Sequence, residues 1–558
     1  MKKFLSLLVA ISTITLLSCG GGEDDGDITP TIPPKDDTQE QQPDTPTAPP
    51  SDPDVVYTID ASGTSGKISE YIYGLNVSYD FSHSGEDYST MVRFGGNRTT
   101  GFNWENNASN AGSDWHHSSD DFLVGYSIKG SERNAPGSVA STFIKNCLGS
   151  GQVPLFTIPI AYKVAADMNG EVAEGDESRW VANLPCKGEE FSRTPDLGDG
   201  KVFQDECVDF LTSAAGGGGK IFYCLDNEPG IWHSTHPRIV PEHISCAEFI
   251  DRSIEFASAV KDVDPLSTVF GFVAFGYSSY MSFAGAPDWD KIKSESNYDW
   301  FIDYYLESMA KASEEKGKTL VDVLDLHWYP EARGDERICS STANSLKDKK
   351  ARLQAPRSLW DDTYKEDSWI TATSSNYFLP ILPKILESIR KYSPTTKLAF
   401  TEYSYGGFDD ITGAIALAEV LGIFGKYDIY AASHWGSPGS YGDAAFKLYR
   451  DYDGNKSSFG EWRLESSMSG SWENTGVFAS ASTESADEIH VIVTNKNMDE
   501  PLEGKFVVSS NKNYTTATPY YVNGVSSSIR KVDPITIQDN TFQYNIPALS
   551  AVHIVISK

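Results

Sequence analysis

Positive charge is scarce in this sequence of 558 residues. Lys and Arg number 46 against 78 Asp and Glu, which gives a formal net charge of −32. An acidic surface disfavours nucleic acid and anionic membrane surfaces as partners, because both would repel it, whereas a neutral substrate is compatible with it. We expect a monomer with no nucleic-acid partner.

Closely spaced cysteines are also lacking. No C-x-x-C motif and no short Cys/His spacing occurs among the 7 cysteines, so nothing indicates a zinc or redox centre. We expect the chemistry to need no cofactor. The pairing of the cysteines beyond Cys19 stays open, with one or two disulfides possible in an exported protein. Cys224 lies in an apolar run and is expected to be a buried free thiol. These six are Cys147, Cys186, Cys207, Cys224, Cys246 and Cys339.

Only one stretch resembles a targeting segment, and no later run is apolar enough to span a bilayer. Lys2 and Lys3 precede an apolar stretch over residues 4–17, too short for a comfortable membrane span. It ends in Leu-Leu-Ser followed by Cys19, which is typical of a bacterial lipobox. We interpret residues 1–18 as a lipoprotein signal peptide and Cys19 as the lipidated residue. A plain secretory signal with a chance cysteine is the alternative.

Residues 19–54 lack the apolar side chains that a folded core needs. The segment from residue 20 carries ten acidic residues and one lysine among many prolines and threonines. Such a composition predicts a disordered, extended tether. Its acidic start, Gly-Gly-Gly-Glu-Asp-Asp, is similar to the signal that sends some lipoproteins to the outer cell surface. We therefore expect an outer-membrane lipoprotein exposed at the cell surface.

From residue 68 onward, apolar runs alternate with helix-like stretches, which predicts an α/β fold with a (β/α)8, TIM-like barrel over residues 68–444. Several runs are almost wholly apolar, as strands buried on both faces should be. Helical spacing is clearest over 248–263, 378–392 and 411–427. A doubly wound sheet is the alternative. The eight strand-like runs are 68–77, 91–95, 153–160, 220–225, 269–275, 321–328, 397–403 and 428–435.

Beyond the barrel the pattern changes to short β-rich runs separated by Asn, Gly and Ser. These runs predict a β-sandwich over residues 445–558. An N-terminal strand within residues 55–67 is expected to join that sandwich, because chain termini are often close together.

Polar residues concentrate where the predicted strands end, which is where catalytic groups of a barrel lie. Run four ends in Asp-Asn-Glu-Pro with Asn227 and Glu228, and run seven ends in Thr-Glu-Tyr with Glu402 and Tyr403. Each motif alone is common in loops and turns. Together they give a facing carboxyl pair, which glycoside hydrolysis requires: one group protonates the leaving oxygen and one attacks the anomeric carbon. Asn227 suits a hydrogen bond to a sugar hydroxyl, and Tyr403 is predicted to orient Glu402.

Aromatic residues near strand ends are candidates for stacking on sugar rings. Trp104, Trp328 and Trp435 lie at or just beyond such ends, and core packing is the alternative for each. A separate acidic loop carries Asp196, Asp199 and Asp205 beside glycine turns. Carboxylates on a flexible loop suit a structural calcium, with a further ligand such as Glu105 from elsewhere. A solvated acidic loop is the alternative.

The chain resembles glycoside hydrolase family 44, bacterial endo-β-1,4-glucanases and xyloglucanases. The resemblance covers essentially residues 55–558. By this resemblance the fold is a barrel with a β-sandwich, Glu228 is the acid/base, Glu402 is the nucleophile, and a structural calcium is possible. The matching segments include 93–97, 103–107, 109–120, 225–229, 236–238, 259–265, 326–333, 355–360, 365–370, 401–407 and 421–427.

The prediction is thus a retaining, endo-acting hydrolase of β-1,4-glucan backbones, with xyloglucan and cellulose-type glucans both open as substrates. A catalytically silent surface glycan-binding lipoprotein is the alternative from another class. A binder needs neither an acid nor a nucleophile, so the presence of Glu228, Glu402 and Asn227 counts against it. A purely structural surface protein would leave the motifs at the strand ends unexplained.

Overall fold

The computed structural model describes residues 52–77, 86–125, 128–373 and 378–558. The expected signal peptide and nearly all of the expected tether, including Cys19, lie outside the described residues. Across the parts that are described, no helix combines the length and apolar character needed to cross a membrane.

Eight parallel strands close into a barrel, with the last strand paired to the first through Ser433 opposite Gly74 and His434 opposite Leu75. Each of the eight predicted runs overlaps one of them, and seven of the strands lie wholly within their predicted runs, which confirms the fold class. Alternate residues such as Met91, Leu155 and Phe270 fill the barrel interior and exclude water from it. The barrel strands, numbered 1 to 8 in chain order, are Gly74–Asn76, Met91–Phe94, Val153–Ile158, Phe222–Leu225, Thr268–Ala274, Val323–Trp328, Lys397–Tyr403 and Ala431–His434.

The first run differs from its prediction because it is not a strand from residue 68. A 3-10 helix, Glu70–Tyr73, occupies its first half, and only Gly74–Asn76 pairs in the barrel. Ser69 starts this turn by accepting a hydrogen bond from the Tyr71 amide at 3.3 Å. Gly74 then allows close approach to the neighbouring strand, since a Cβ there would lie 2.5 Å from the Ala432 carbonyl oxygen.

Helices of eight residues or more follow every barrel strand except the first, within the described residues. The one after strand 4 begins at a Ser245 cap, whose hydroxyl accepts from the Glu248 amide, and ends before Asp264-Pro265. These helices are Ser138–Gly149, Gln204–Ala214, Cys246–Val263, Phe301–Lys316, Leu346–Gln354, Ile381–Tyr392, Ile411–Lys426 and Gly439–Arg450. Shorter helical turns are Asn97–Thr100, Gly112–Asp114, Phe122–Gly125, Gly130–Asn134, Glu177–Arg179, Pro229–Ile231, Trp232–Thr235, Tyr277–Ser282, Trp289–Ser294, Ala355–Leu359 and Trp369–Thr373.

The C-terminal part is a sheet that folds over one apolar core as two layers. Its strand Trp462–Met468 connects the layers, because its first half pairs with Thr475–Ala481 and its second half with Val55–Asp60. Val55–Asp60 also pairs in parallel with Leu502–Ser509. The remaining strands of this sheet are Gly66–Lys67, Glu488–Asn495, Thr516–Asn523, Ser526–Lys531, Ile535–Thr536, Thr541–Ile546 and Ser550–Ser557. Small strands in the barrel loops are Ser109–Asn110, Ser118–Asp120, Lys163–Ala165, Gly170–Glu171, Trp180–Leu184 and Lys201–Phe203.

The barrel and the C-terminal sheet share a buried interface. Helix Ile411–Lys426 is buried along nearly its whole length, because it packs on strand 7 through Phe424 against Phe400 and on the C-terminal sheet with its other side. Within that interface Lys496 donates to Glu419 at 2.8 Å, with both side chains 1% exposed. Helix Gly439–Arg450 runs across residue 445, where the sequence placed the sandwich, and the sheet resumes only at Trp462.

The cysteines form no zinc-like cluster among the described residues. Five of them, Cys147, Cys186, Cys207, Cys224 and Cys246, are free thiols. Cys224 is fully buried in barrel strand 4, as expected for an apolar run. The Cys339 thiol donates to the Ser404 carbonyl oxygen at 3.1 Å.

Candidate active site

Glu228 owes its position to a sharp turn of the chain just after barrel strand 4. Asp226 and Glu228 both have left-handed backbones, with φ of 64° and 47°. Such angles are unfavourable for non-glycine residues and persist where the surroundings hold them. Here the Asp226 carboxylate accepts hydrogen bonds from the Ile160 and Ala161 amides, and the Glu228 amide donates to the Val273 carbonyl at 3.0 Å. The turn is therefore anchored to strands 3 and 5.

Glu402 is brought opposite Glu228 by barrel strand 7, and one side chain lies between them. An oxygen of each carboxylate and a ring nitrogen of His327 all lie within 4.8 Å of one another. His327 Nδ1 is 2.8 Å from Glu228 Oε1 and 3.4 Å from Glu402 Oε2. The structure thus places the two predicted catalytic glutamates face to face in the mouth of the barrel.

Two further side chains hold Glu402 and do not hold Glu228. Arg93 of strand 2 donates from Nη1 to Glu402 Oε1 at 2.8 Å. The Tyr329 hydroxyl donates to Glu402 Oε2 at 2.8 Å. Both oxygens of Glu402 therefore have a donor, one of them cationic, which favours the ionised carboxylate.

The pKa shifts of the two glutamates agree with these hydrogen bonds, because they too favour the ionised form of Glu402 over that of Glu228. Burial raises the pKa of Glu228 well above its ordinary value, and the charge of Glu402 raises it further. Burial also raises the pKa of Glu402, but Arg93 and the Tyr329 hydroxyl oppose that rise. Burial holds the pKa of His327 well below its usual value, so this imidazole is neutral. The arrangement thus favours the proton on Glu228 and the negative charge on Glu402.

Asn227 lies in a hydrogen-bonded chain that leads from Glu402 to the edge of the site. Its Oδ1 accepts from Arg93 Nη2 at 2.7 Å, and its Nδ2 donates to Asn97 Oδ1 at 3.1 Å. Asn97 Nδ2 in turn donates to both carboxylate oxygens of Asp114 at 3.1 Å. Asn227 is therefore part of the site, with its amide oriented by charged neighbours at both ends of the chain.

The predicted aromatic contacts lie in different surroundings. Trp104 is 1% exposed, and its indole donates to the Phe203 carbonyl in the core. Trp328 is 2% exposed and stacks on Tyr280. These two side chains pack as core residues, whereas Trp435 is half-buried beyond strand 8.

Tyr403 does not reach the carboxylate that it was predicted to orient. It is fully buried and packs edge-on against Phe424 of the helix that follows strand 7. Side chains alternate along a strand, so Glu402 facing the barrel mouth places Tyr403 on the outer side. The hydroxyl that holds Glu402 belongs to Tyr329.

Three residues of this site were not singled out from the sequence: Arg93, His327 and Tyr329. Arg93 is a charged residue inside the otherwise apolar strand Met91–Phe94, and such a residue requires a buried partner. His327 and Tyr329 are two apart at the end of strand 6, the spacing that puts both side chains on one face. Both signals were present in the sequence.

The acidic loop also has a defined structure. Asp196 accepts from the Gly198 amide at 2.9 Å, Asp199 from the Lys201 amide at 2.8 Å, and Asp205 from the Lys187 amide at 2.9 Å. The only group of three potential metal ligands close enough to share an ion, within the described ranges, is the one formed by Glu228, His327 and Glu402. The three aspartates therefore do not converge as a set.

Glu105 nonetheless lies close to part of this loop. It is 3% exposed, and burial together with the charges of Asp199 and Glu206 raises its pKa to about 8. Asp196 adds to the same rise. The negative charges of the exposed Asp196 and Asp199 act on the buried Glu105, and carboxylates are the ligands that calcium prefers. Within the described residues these three carboxylates do not lie close enough to one another to share an ion.

A closed parallel barrel with facing carboxyl groups at the ends of strands 4 and 7 defines a glycoside hydrolase. Comparisons with known proteins agree. The family model of glycoside hydrolase family 44 matches residues 108–332. Endoglucanase A of Paenibacillus lautus is 45% identical over 515 residues, which is 90% of this chain and 72% of that protein.

Solved structures agree as well. A Paenibacillus polymyxa xyloglucanase of family 44, determined with xyloglucan, is 44% identical with a TM-score of 0.86, over 90% of this chain and 99% of that one. A family 44 endoglucanase from Clostridium thermocellum is 46% identical with the same TM-score of 0.86 and the same coverage, 90% and 99%. The chain belongs to glycoside hydrolase family 44.

Proposed function

We propose that this protein cleaves the backbone of β-1,4-glucans with retention of anomeric configuration, using Glu402 as nucleophile and Glu228 as acid/base. The observation that carries the proposal is the approach of the two carboxylates, whose facing oxygens lie within 4.8 Å. A separation of ~5–5.5 Å lets one carboxylate attack the sugar directly, whereas ~6.5–9.5 Å leaves room for a water and gives inversion. The short separation supports direct attack.

In the first step a Glu402 oxygen bonds to the anomeric carbon while the glycosidic C–O bond breaks. The proton of Glu228 moves to the departing oxygen, which leaves a covalent glycosyl-enzyme. Arg93 and Tyr329 keep Glu402 ionised and aligned for this attack. In the second step the Glu228 carboxylate takes a proton from water, the water oxygen bonds to the anomeric carbon, and Glu402 departs as carboxylate.

The substrate proposal follows from the relatives and from exposed aromatic rings. The relatives are an endoglucanase and a xyloglucanase, one of them solved with xyloglucan. Trp115 is 62% exposed and follows Asp114 at the edge of the site. Trp369 is 45% exposed and packs edge-on against Tyr277, which lies beyond strand 5. Stacking surfaces on separate loops suit an extended polymer, and therefore endo-cleavage.

Proton NMR of the first-formed product tests the mechanism, and reducing-end release on xyloglucan, carboxymethylcellulose, mixed-linkage glucan, xylan and mannan tests the substrate. We expect an initial β-anomer and release from xyloglucan or a linear β-1,4-glucan. An initial α-anomer would overturn the retaining assignment together with the role of Glu402. Release only from xylan or mannan would overturn the substrate proposal and leave the mechanism standing.

We also propose that Cys19 is lipidated and holds the enzyme on the outer membrane, facing the cell exterior. The support is the apolar run that stops at Cys19 and the acidic segment that follows it. Detergent partitioning of wild type and Cys19→Ala, expressed in the native host, tests the anchor. We expect the wild type in the detergent phase and the variant in the aqueous phase; equal solubility of the two would refute lipidation.

A further inference from the structure

The loop after barrel strand 2 carries a third carboxylate, Asp114, at the edge of the catalytic site. The side chain is exposed, in contrast with the buried pair Glu228 and Glu402. It lies at the end of the helical turn Gly112–Asp114. None of the chemical steps above uses it.

Packing against the segment that follows Glu228 fixes the place of this turn. Gly112 has a φ of 56°, and a Cβ there would lie 2.3 Å from the Thr235 carbonyl oxygen and 2.8 Å from His236 Nε2. Only a glycine allows that approach. The turn that carries Asp114 therefore packs directly against the segment that follows Glu228.

The hydrogen bonds from Asp114 inward have only one consistent set of amide orientations. A carboxylate accepts only, so Asn97 must turn its Nδ2 toward Asp114 and its Oδ1 toward Asn227. Asn227 then turns its Nδ2 toward Asn97 and its Oδ1 toward Arg93, which donates only. Arg93 completes the chain by donating to Glu402. Asp114 and Arg93 therefore fix both amides from opposite ends.

The charge of Asp114 also acts on both catalytic groups. It contributes to the raised pKa of Glu228 and to the raised pKa of Glu402. The other titratable or charged groups that face Glu228 are Glu402, His327, Arg93, Tyr329 and Tyr280. The groups near Asp114 are Asn97 and Arg98.

We propose that Asp114 is a positioning residue for hydrolysis: it sets the amide orientations of Asn97 and Asn227, and its charge sets the pH range in which the catalytic pair works. The inference rests on the proposed function and concerns the same site. The two roles are separable, because the orientation needs an acceptor oxygen and the pH range needs a negative charge.

The test compares kcat and kcat/KM as functions of pH for wild type, Asp114→Asn, Asp114→Ala, Asn97→Ala and Asp121→Asn, on the best glucan of the panel. Asp121 is the matched control. It is an exposed aspartate on the same loop, and it pairs with Arg133, which takes no part in the hydrogen bonds that lead from Asp114 to Glu402. Thermal unfolding of each variant reports on folding.

Loss of the charge lowers the pKa of both glutamates, so both limbs of the profile move to lower pH. For Asp114→Asn and Asp114→Ala we expect a shift of a few tenths of a pH unit, the size of one partly screened charge. Asp114→Ala also loses the acceptor, and we expect its kcat to fall roughly tenfold, as misplaced catalytic groups cause. Asp114→Asn keeps an acceptor oxygen and should lose less. Asn97→Ala should lose kcat without the shift.

Each half of the inference can fail separately. An Asp114→Asn profile that superimposes on those of wild type and Asp121→Asn overturns the role of the charge. An Asp114→Ala enzyme with the same kcat as Asp114→Asn overturns the role in orientation, and Asn97→Ala decides the same point if Asp114→Ala does not fold. A wild type that hydrolyses no glucan in the same assay overturns the proposed function, which is a different result from active but indistinguishable variants.

Discussion

Arg93 and Glu402 form an ion pair in the barrel mouth, with 2.8 Å between Nη1 and Oε1 and with side chains that are 0% and 6% exposed. The same guanidinium donates to Asn227 from its other terminal nitrogen. A single planar group therefore aligns Glu402 and favours its ionised form while it also holds Asn227, the neighbour of Glu228.

Replacement of Arg93 by Met should raise the pKa of Glu402, because Arg93 is the main group that lowers it. The acidic limb of kcat/KM should move to higher pH, and activity at mildly acidic pH should fall by roughly 10²-fold or more. Arg93→Lys keeps the charge but cannot form both hydrogen bonds, so its activity should lie between those of wild type and Arg93→Met. A Met variant with an unmoved acidic limb would contradict this account of Glu402.

The two glutamates should respond differently to replacement by alanine. Glu228→Ala should lose roughly 10²–10⁴-fold on poor leaving groups and less on an aryl glycoside with a good one, because that substrate needs little acid. Added azide should then give a β-glycosyl azide, detected by NMR. Glu402→Ala should be nearly inactive on every substrate, and any azide product should be the α-anomer. Identical behaviour of the two variants would show that the roles are assigned wrongly.

If calcium binds near Glu105, as the sequence predicts, it should support stability and leave the chemistry intact. In the absence of an ion, Glu105 with a pKa of about 8 holds a proton that the unfolded chain releases near its ordinary pKa of 4.5. The free energy of unfolding should therefore fall as the pH rises between these values. Calcium displaces that proton, so it should raise the melting temperature most at the upper end of this range.

Melting curves with chelator and with added calcium, for wild type and Glu105→Gln, test this effect. We expect a calcium-dependent shift in the wild type only and an unchanged initial rate in both. Absence of any shift in folded wild type would contradict the predicted calcium site.

Removal of one partner of the buried pair Lys496–Glu419 should destabilise the fold strongly, whereas replacement of both partners by apolar residues should cost little. Lys496→Met leaves the Glu419 carboxylate buried between barrel and sheet with Thr494 as its remaining donor, which costs about 3–5 kcal/mol. Lys496→Met combined with Glu419→Leu should recover most of that loss. Denaturant titration measures both, and equal destabilisation by the single and the double replacement would contradict the argument.

The barrel could be predicted from the sequence, because strands that are buried on both faces are mostly apolar and such apolar runs recur eight times. The first run shows the limit of that reasoning. Residues 70–73, Glu-Tyr-Ile-Tyr, carry the aromatic and β-branched side chains that are typical of a strand, yet they form a 3-10 turn. The Ser69 hydroxyl donates to the Tyr430 carbonyl oxygen and Gly74 packs against Ala432, and both contacts are with residues far along the chain. Apolar content alone does not separate the two conformations.

The facing positions of Glu228 and Glu402 could also be predicted from the sequence, but the side chains that hold them were harder to predict. Tyr403 was chosen because it follows Glu402 in sequence, although alternation along the strand turns its side chain away. Tyr329 reaches the carboxylate from the end of the neighbouring strand 6. Trp104 was placed at a strand end, where only the loop conformation decides between cleft and core. The sequence pattern predicts which residues form a strand, but it does not predict which side chains of neighbouring strands touch.

The strand Val55–Asp60 has a mechanical consequence for a protein held by its N-terminal side. It lies between two other strands, antiparallel to Trp462–Met468 and parallel to Leu502–Ser509. A pull at Val55 along the strand loads both ladders in shear, so their hydrogen bonds resist together instead of peeling apart one by one. If the proposed anchor at Cys19 holds the protein, drag on a polymer in the cleft would pass from the barrel into the C-terminal sheet and leave it through this strand, where both ladders resist together.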